Sequence, residues 1–296
     1  MSLFPGFIKK RIKTSGATIN LVIGGEGPPL LMLHGYPQTH AMWHKVAPEL
    51  ARDYTVVCAD LRGYGDSSKP KGLPGHANYS KRAVALDMVE VMEDLGFLKY
   101  HVVGHDRGGR VAHRMARDHG KRVMTLTVLD ISPTLKVFQN VSKPLATAFY
   151  HWFFLIQKAP LPERLIQANA AFYLLGRLGR GPTRLKHFDK RAVAEYLRCF
   201  KDPRAIHASC EDYRAAATID LVHDKKTRGK ITMPVLALWA RHSPVGALFD
   251  CLADWREVAT DVRGREINCG HFIPEEAPRI LLAELRRFLK EVQRLS

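Results

Sequence analysis

The chain has 296 residues, 25% of them charged, and 45 Lys and Arg against 29 Asp and Glu give a formal net charge of +16. That length supports an ample core in one large domain, or in a core plus an insertion. No apolar run is long enough to span a bilayer, and the five scattered cysteines include no CxxC pair, which leaves no zinc or disulfide framework.

The basic residues at 9–13, 225–230 and 263–265 are not interleaved with base-stacking aromatics, so they read as solvated surface rather than a nucleic-acid face. A field of this sign can still steer an anionic small substrate. The start, MSLFPGFIKKRIK, lacks the apolar core of a signal peptide, and the expected location is the cytoplasm. No metal and no cofactor are expected.

In chain order, ATINLVIGG (17–25) and PPLLMLHG (28–35) predict strands ending in glycine turns. MWHKVAPEL (42–50) has helical spacing, and YTVVCAD (54–60) suits a buried parallel strand. A helix is predicted over 82–97, with Val84, Met88, Val91, Met92 and Leu95 as its apolar stripe and Gly96 as its stop. HVVGHD (101–106) is the next strand, RVAHRMARDHG (110–120) the next helix, and VMTLTVLD (123–130) a further strand. The alternation implies a mostly parallel sheet with helices on both faces.

After Pro133 the rhythm becomes helical and aromatic until MPVLALW (233–239) and RGREINCGH (263–271) resume the strand pattern. The C-terminal segment predicts an amphipathic helix with Ile280, Leu281, Leu285, Phe288 and Leu289 on its apolar side. The economical division is a doubly wound α/β core over 1–133 and 231–296, interrupted by a helical cap over 134–230.

HVVGHDRGGR (101–110) carries the chemistry. Gly104 and Gly108 flank Asp106 in a strand-to-helix turn whose tip stands above the sheet edge. Esterases of this pattern place Ser at the tip, where it needs a base to remove its proton; an ionised Asp needs none and can attack saturated carbon directly. An Asp here could equally be a helix N-cap. Asp130, ending the next strand, and His271, after the last, complete a nucleophile–acid–base order, because the carboxyl ends of parallel strands share one edge. Asp250 is a rival acid. The backbone N–H groups of Tyr36 and Arg107 are candidate oxyanion donors, and His34 is expected to support their turn. Helix N-termini disfavour cations, so Arg107 and Arg110 in this first turn call for an anion.

HGYPQTHAMWHKVAP, ADLRGYGDSS, GHDRGGRVAHR, VLDISPT, YHWFFL, CEDYRA and GHFIPEEAP together resemble the fluoroacetate (haloacetate) dehalogenases of the α/β-hydrolase fold, over nearly the whole chain. The HG-x-P and Gly-x-Asp-x-Gly motifs are shared with epoxide hydrolases and haloalkane dehalogenases; DRGGR, YHW and EDYR are the specific signals. The resemblance implies a hydrolytic dehalogenase of short 2-haloacids, a small anionic substrate and a homodimer. It makes Asp106 the nucleophile, Arg107 and Arg110 the carboxylate clamp, and His151, Trp152 and Tyr213 the halide pocket. Family members carry a tryptophan in the cap segment that reads AFYLLGRLGRGPTRLKHFD here, without one, and WARHSPV stands here where a glycine is expected after the LALW strand. Two other readings stand beside this one. An epoxide hydrolase would use the same Asp and His with a second cap tyrosine from Tyr150, Tyr173 or Tyr196, and a ligand-binding receptor would keep the fold without turnover.

Overall fold

The computed structural model describes residues 2–179 and 184–295. Eight strands form one sheet: β1 (Ile8–Lys13), β2 (Thr18–Gly24), β3 (Pro29–Leu33), β4 (Thr55–Ala59), β5 (Tyr100–His105), β6 (Val123–Leu129), β7 (Val235–Ala240) and β8 (Val262–Ile267). Their order is β1-β2-β4-β3-β5-β6-β7-β8. β1 and β2 pair antiparallel, β2 joins β4 antiparallel, and every other pairing is parallel. β5 lies near the centre with every residue buried, His101 and His105 included.

At the N-terminal end one strand forms where none was expected, and one expected helix is corrected. The basic run at residues 9–13 is most of β1, an edge strand that keeps all four of its charged side chains in solvent and buries Ile12. Edge position explains both the charge and the strand, since lysines there block further pairing. The single helix expected over 42–50 is instead a 3-10 turn, His40–Trp43, followed by a short helix, Ala47–Leu50.

The helix Lys81–Asp94 buries Val84, Met88, Val91 and Met92 as the spacing predicts. The C-terminal helix, Pro278–Leu295, buries Leu281, Leu285, Phe288 and Leu289, but Ile280 is 37% exposed and stands outside the stripe. Between β6 and β7, which are neighbours in the sheet, the chain builds helices from Thr134–Gln139 to Ile219–Lys226 and no strand among the described residues. Leaving and re-entering the sheet at adjacent positions lets this long helical segment sit over the carboxyl edge without breaking the core. No helix among the described residues is long and apolar enough to cross a membrane.

Candidate active site

Asp106 sits between β5 and the helix Arg107–Asp118 with φ 47° and ψ −113°. A non-glycine residue in that region is strained by about 1–3 kcal/mol and persists only where its surroundings hold it. The surroundings here are glycines: a Cβ on Gly104 would lie 2.5 Å from the Gly108 carbonyl oxygen, and one on Gly108 would lie 2.4 Å from that of His34. The turn is therefore tight enough to lift the aspartate out of the strand direction.

The N-cap alternative fails for Asp106, whose side chain bonds no N–H of its own helix. Its Oδ1 instead accepts from the Tyr36 N–H at 2.9 Å. The hydrogen bonds among the described residues include none from the Arg107 N–H to this carboxylate, so one of the two expected backbone donors is engaged with it. His34 accepts the Leu61 N–H on Nε2 at 3.0 Å and donates from Nδ1 to the Gly35 carbonyl at 3.0 Å, which fixes the turn carrying Tyr36. Burial alone would raise the Asp106 carboxyl; His271, His105, Arg107 and Arg110 outweigh it and hold the group below its ordinary range.

Asp130 follows β6, also at positive φ (52°). Its Oδ2 lies 2.5 Å from His271 Nδ1, while Oδ1 accepts from the Ala240 N–H and the Ser243 hydroxyl, each at 2.8 Å. These bonds aim the carboxylate and leave Nδ1 of His271 as the protonated nitrogen, with the lone pair on Nε2. Burial would lower the His271 imidazole, but its bond to Asp130 and the charges of Asp130 and Asp106 raise it. Asp250 does not join the site: it caps the helix Cys251–Val258 through the Ala253 N–H at 3.0 Å. His105, absent from the sequence reading, donates from Nε2 to the His271 carbonyl at 2.8 Å. Burial and His271 push its imidazole down to about 4, so it holds the loop as a neutral ring.

The two arginines do not run parallel along one helix face. Arg107 reaches the cap helix Pro203–Ala217, where its Nε donates to Asp212 Oδ2 at 2.7 Å and its Nη2 to the Asp212 carbonyl at 2.9 Å. Asp212 also pairs with Lys81 and accepts from the Tyr64 hydroxyl at 3.0 Å. Arg110 turns to the loop after β6, donating from Nη1 to the Ser132 carbonyl at 3.0 Å and to Thr134 Oγ1 at 2.9 Å. Each keeps one buried nitrogen without a partner, Nη1 of Arg107 and Nε of Arg110. Burial and the adjacent Arg107 push Arg110 down to about 10, so it is still charged at neutral pH and would gain from an anion.

The cap supplies aromatic walls. The Arg107 guanidinium carbon stands 4.2 Å from the Tyr213 ring centre and that of Arg110 stands 4.6 Å from Trp152. Trp152 and His151 pack edge-on to Tyr213 at 5.9 and 5.7 Å, so the three residues expected to hold halide form one cluster. The Trp152 indole N–H and the Tyr213 hydroxyl are buried without a partner. Burial and the Asp106 charge keep the Tyr213 phenol protonated.

Asp106, Tyr36, His151, Trp152 and His271 all line a cleft of about 960 Å³. Arg177, Lys186 and Arg241 also line it. Arg241 pairs with Glu266 at 2.6 Å and is exposed. Residues 180–183, in the cap segment that lacks a tryptophan, lie outside the described residues. No cluster among the described residues has the His, Cys, Asp and Glu composition to hold a metal ion.

Residues 28–278 match the family model for the α/β hydrolase fold, and the chain belongs to that family. Within it the chain is 46% identical to a fluoroacetate dehalogenase from Burkholderia sp, over 98% of this chain and 96% of the relative. It is 35% identical to a soluble epoxide hydrolase from Corynebacterium sp. (strain C12), over 93% and 94%. A Pseudomonas aeruginosa structure, provisionally named an epoxide hydrolase and solved with bound MFA, superposes with a TM-score of 0.93 at 42% identity over 99% of both chains. The chain is thus a hydrolase of the haloacetate dehalogenase branch, with epoxide hydrolases as its neighbours.

Proposed function

We propose that the protein hydrolyses short 2-haloacids to 2-hydroxy acids. The observation that carries this reading is the set of buried, unfilled donors around an ionised aspartate: Arg107 Nη1, Arg110 Nε, the Trp152 N–H and the Tyr213 hydroxyl. Buried donors left without partners are costly unless a ligand fills them, and two guanidiniums select a carboxylate.

In this mechanism the substrate carboxylate docks on Arg107 and Arg110. Asp106 attacks the carbon bearing halogen, forming a C–O bond as the C–halogen bond breaks. Halide leaves toward His151, Trp152 and Tyr213, whose donors strengthen as its charge develops. His271 then takes a proton from water through Nε2, and the hydroxide adds to the Asp106 carboxyl carbon. The tetrahedral oxyanion meets the backbone N–H groups of Tyr36 and Arg107. Collapse releases the 2-hydroxy acid and regenerates the Asp106 carboxylate; halide and one proton complete the balance. No step requires a cofactor.

A second reading, epoxide hydrolysis, is favoured by the Corynebacterium relative. It needs two phenols on the epoxide oxygen. Tyr213 qualifies, but the Tyr196 hydroxyl donates to Glu275 at 2.7 Å and Tyr150 is 47% exposed, which leaves Tyr173. Purified protein incubated with fluoroacetate, chloroacetate and styrene oxide separates the readings. Halide release is expected; diol without halide would sink the dehalogenase reading.

A further inference from the structure

We propose that Arg177 is a positioning residue for this reaction: it holds His151 as the neutral ring protonated on Nδ1, and so decides which nitrogen donates to the departing halide. This rests on the dehalogenase reading of the same cleft.

Arg177 belongs to the cap helix Ala170–Leu178 and lines the cleft together with His151, Asp106 and His271. Its Nη2 lies 3.2 Å from His151 Nε2. A guanidinium has donors only and does not lose its proton in proteins. The contact is favourable only if Nε2 presents a lone pair, which puts the single ring proton on Nδ1. A doubly protonated ring would set N–H against N–H and cation against cation.

The ring has little freedom to escape this constraint. It lies nearly parallel to Tyr36 (7°, centroids 6.2 Å apart), with Tyr213 edge-on at 5.7 Å and Phe149 at 6.3 Å. In a ring so wedged, choosing the tautomer chooses the direction of the hydrogen bond. Arg177 is itself placed by the Tyr150 ring, 5.7 Å from its guanidinium carbon, and no carboxylate among the described residues pairs with it. Its charge therefore stays in the cleft.

The test uses the full-length protein labelled with ¹⁵N-histidine, with the His151 signals assigned by their loss in His151→Gln. The wild type should show a protonated Nδ1 and a bare Nε2. Arg177→Met, similar in length but without donors, should move the ring toward the Nε2–H form, and Arg177→Lys should restore the wild-type pattern. With an accepted haloacid, Arg177→Met should lower kcat about tenfold or more with KM little changed, more for fluoride than for chloride, and Arg177→Lys should recover most of it. A protonated Nε2 in the wild type, or Arg177→Met leaving the tautomer and kcat unchanged, would overturn the proposal. So would a rise in KM alone, which would make Arg177 a substrate ligand instead. If no haloacid is turned over by the wild type, the dehalogenase reading fails, and the ¹⁵N spectrum still decides whether Arg177 sets the tautomer.

Discussion

Asp212 on the cap accepts the Nε–H of Arg107 on the core at 2.7 Å, and Lys81 and Tyr64 converge on the same carboxylate. The pair ties the helix that follows Asp106 to the helix Pro203–Ala217. Arg107 and Asp212 are both almost fully buried, so each depends on the other for its charge. Burial would raise the Asp212 carboxyl, but Arg107 and Lys81 draw it well below the ordinary range.

Asp212→Asn leaves Arg107 without a countercharge and Lys81 with only Asp220, 3.8 Å away. Breaking a buried pair from one side costs about 3–5 kcal/mol, so the urea midpoint should drop clearly. In protein that remains folded, KM for haloacids should rise as the Arg107 guanidinium loses its placement. An unchanged midpoint and KM would show that Asp212 is dispensable.

The acid limb of turnover should belong to His271. Its imidazole lies above the ordinary 6.5 in the free protein, raised by Asp130 and Asp106 against burial. Only the neutral ring can accept a proton from water, so ester hydrolysis is full above the raised value and fades as pH falls through it. Asp106 is held low and stays ionised across that window. Ester formation removes the Asp106 charge, so the limb in the intermediate should lie below that of the free enzyme. Pre-steady-state halide release should accordingly show a burst that persists at acid pH while turnover declines.

Asp130→Asn and Asp250→Asn separate the two candidate acids. Asp130→Asn should slow ester hydrolysis by about 100-fold or more, since the base loses its orientation and the charge that supports imidazolium. Asp250→Asn alters only a helix cap and should leave kcat alone, with a stability change of about 1 kcal/mol or less. Reversed sensitivities would assign the acid to Asp250.

Much of this site was legible because its chemistry is local. The turn around Asp106 is written in Gly104 and Gly108, whose missing Cβ atoms are what the close backbone approach demands. Asp130 and His271 could be placed together because parallel strands deliver their carboxyl ends to one edge. The sequence put Asp130 ahead of Asp250, and the structure adds that Asp250 caps a helix while Asp130 bonds His271.

What escaped was long-range or dual in purpose. Asp212 stood inside a recognised motif, yet its ion pair with Arg107 depends on how cap and core meet. Arg177 sits in a segment read only for a tryptophan it lacks. β1 was hidden because an edge strand needs so few apolar residues that its lysines read as surface. The two arginines share the first turn of one helix, yet their long side chains fan out to different partners, which spacing alone does not show.

Gly108→Ala should show how tightly the turn is built. The added methyl would lie 2.4 Å from the carbonyl oxygens of His34 and Leu33, both backbone atoms that cannot yield cheaply. The variant should lose both stability and activity, measured by thermal unfolding and halide release. Wild-type behaviour would mean that the elbow tolerates more space than the structure gives it.

The central claim is that Asp106 becomes covalently bonded to substrate carbon. Intact mass and peptide mapping of His271→Ala after incubation with a haloacid that the wild type accepts tests it most directly. The predicted result is a stable mass increase equal to the substrate less its halide, mapped to Asp106, with about one halide released per chain. Halide release by this variant with no adduct on Asp106, or an adduct on another residue, would contradict it.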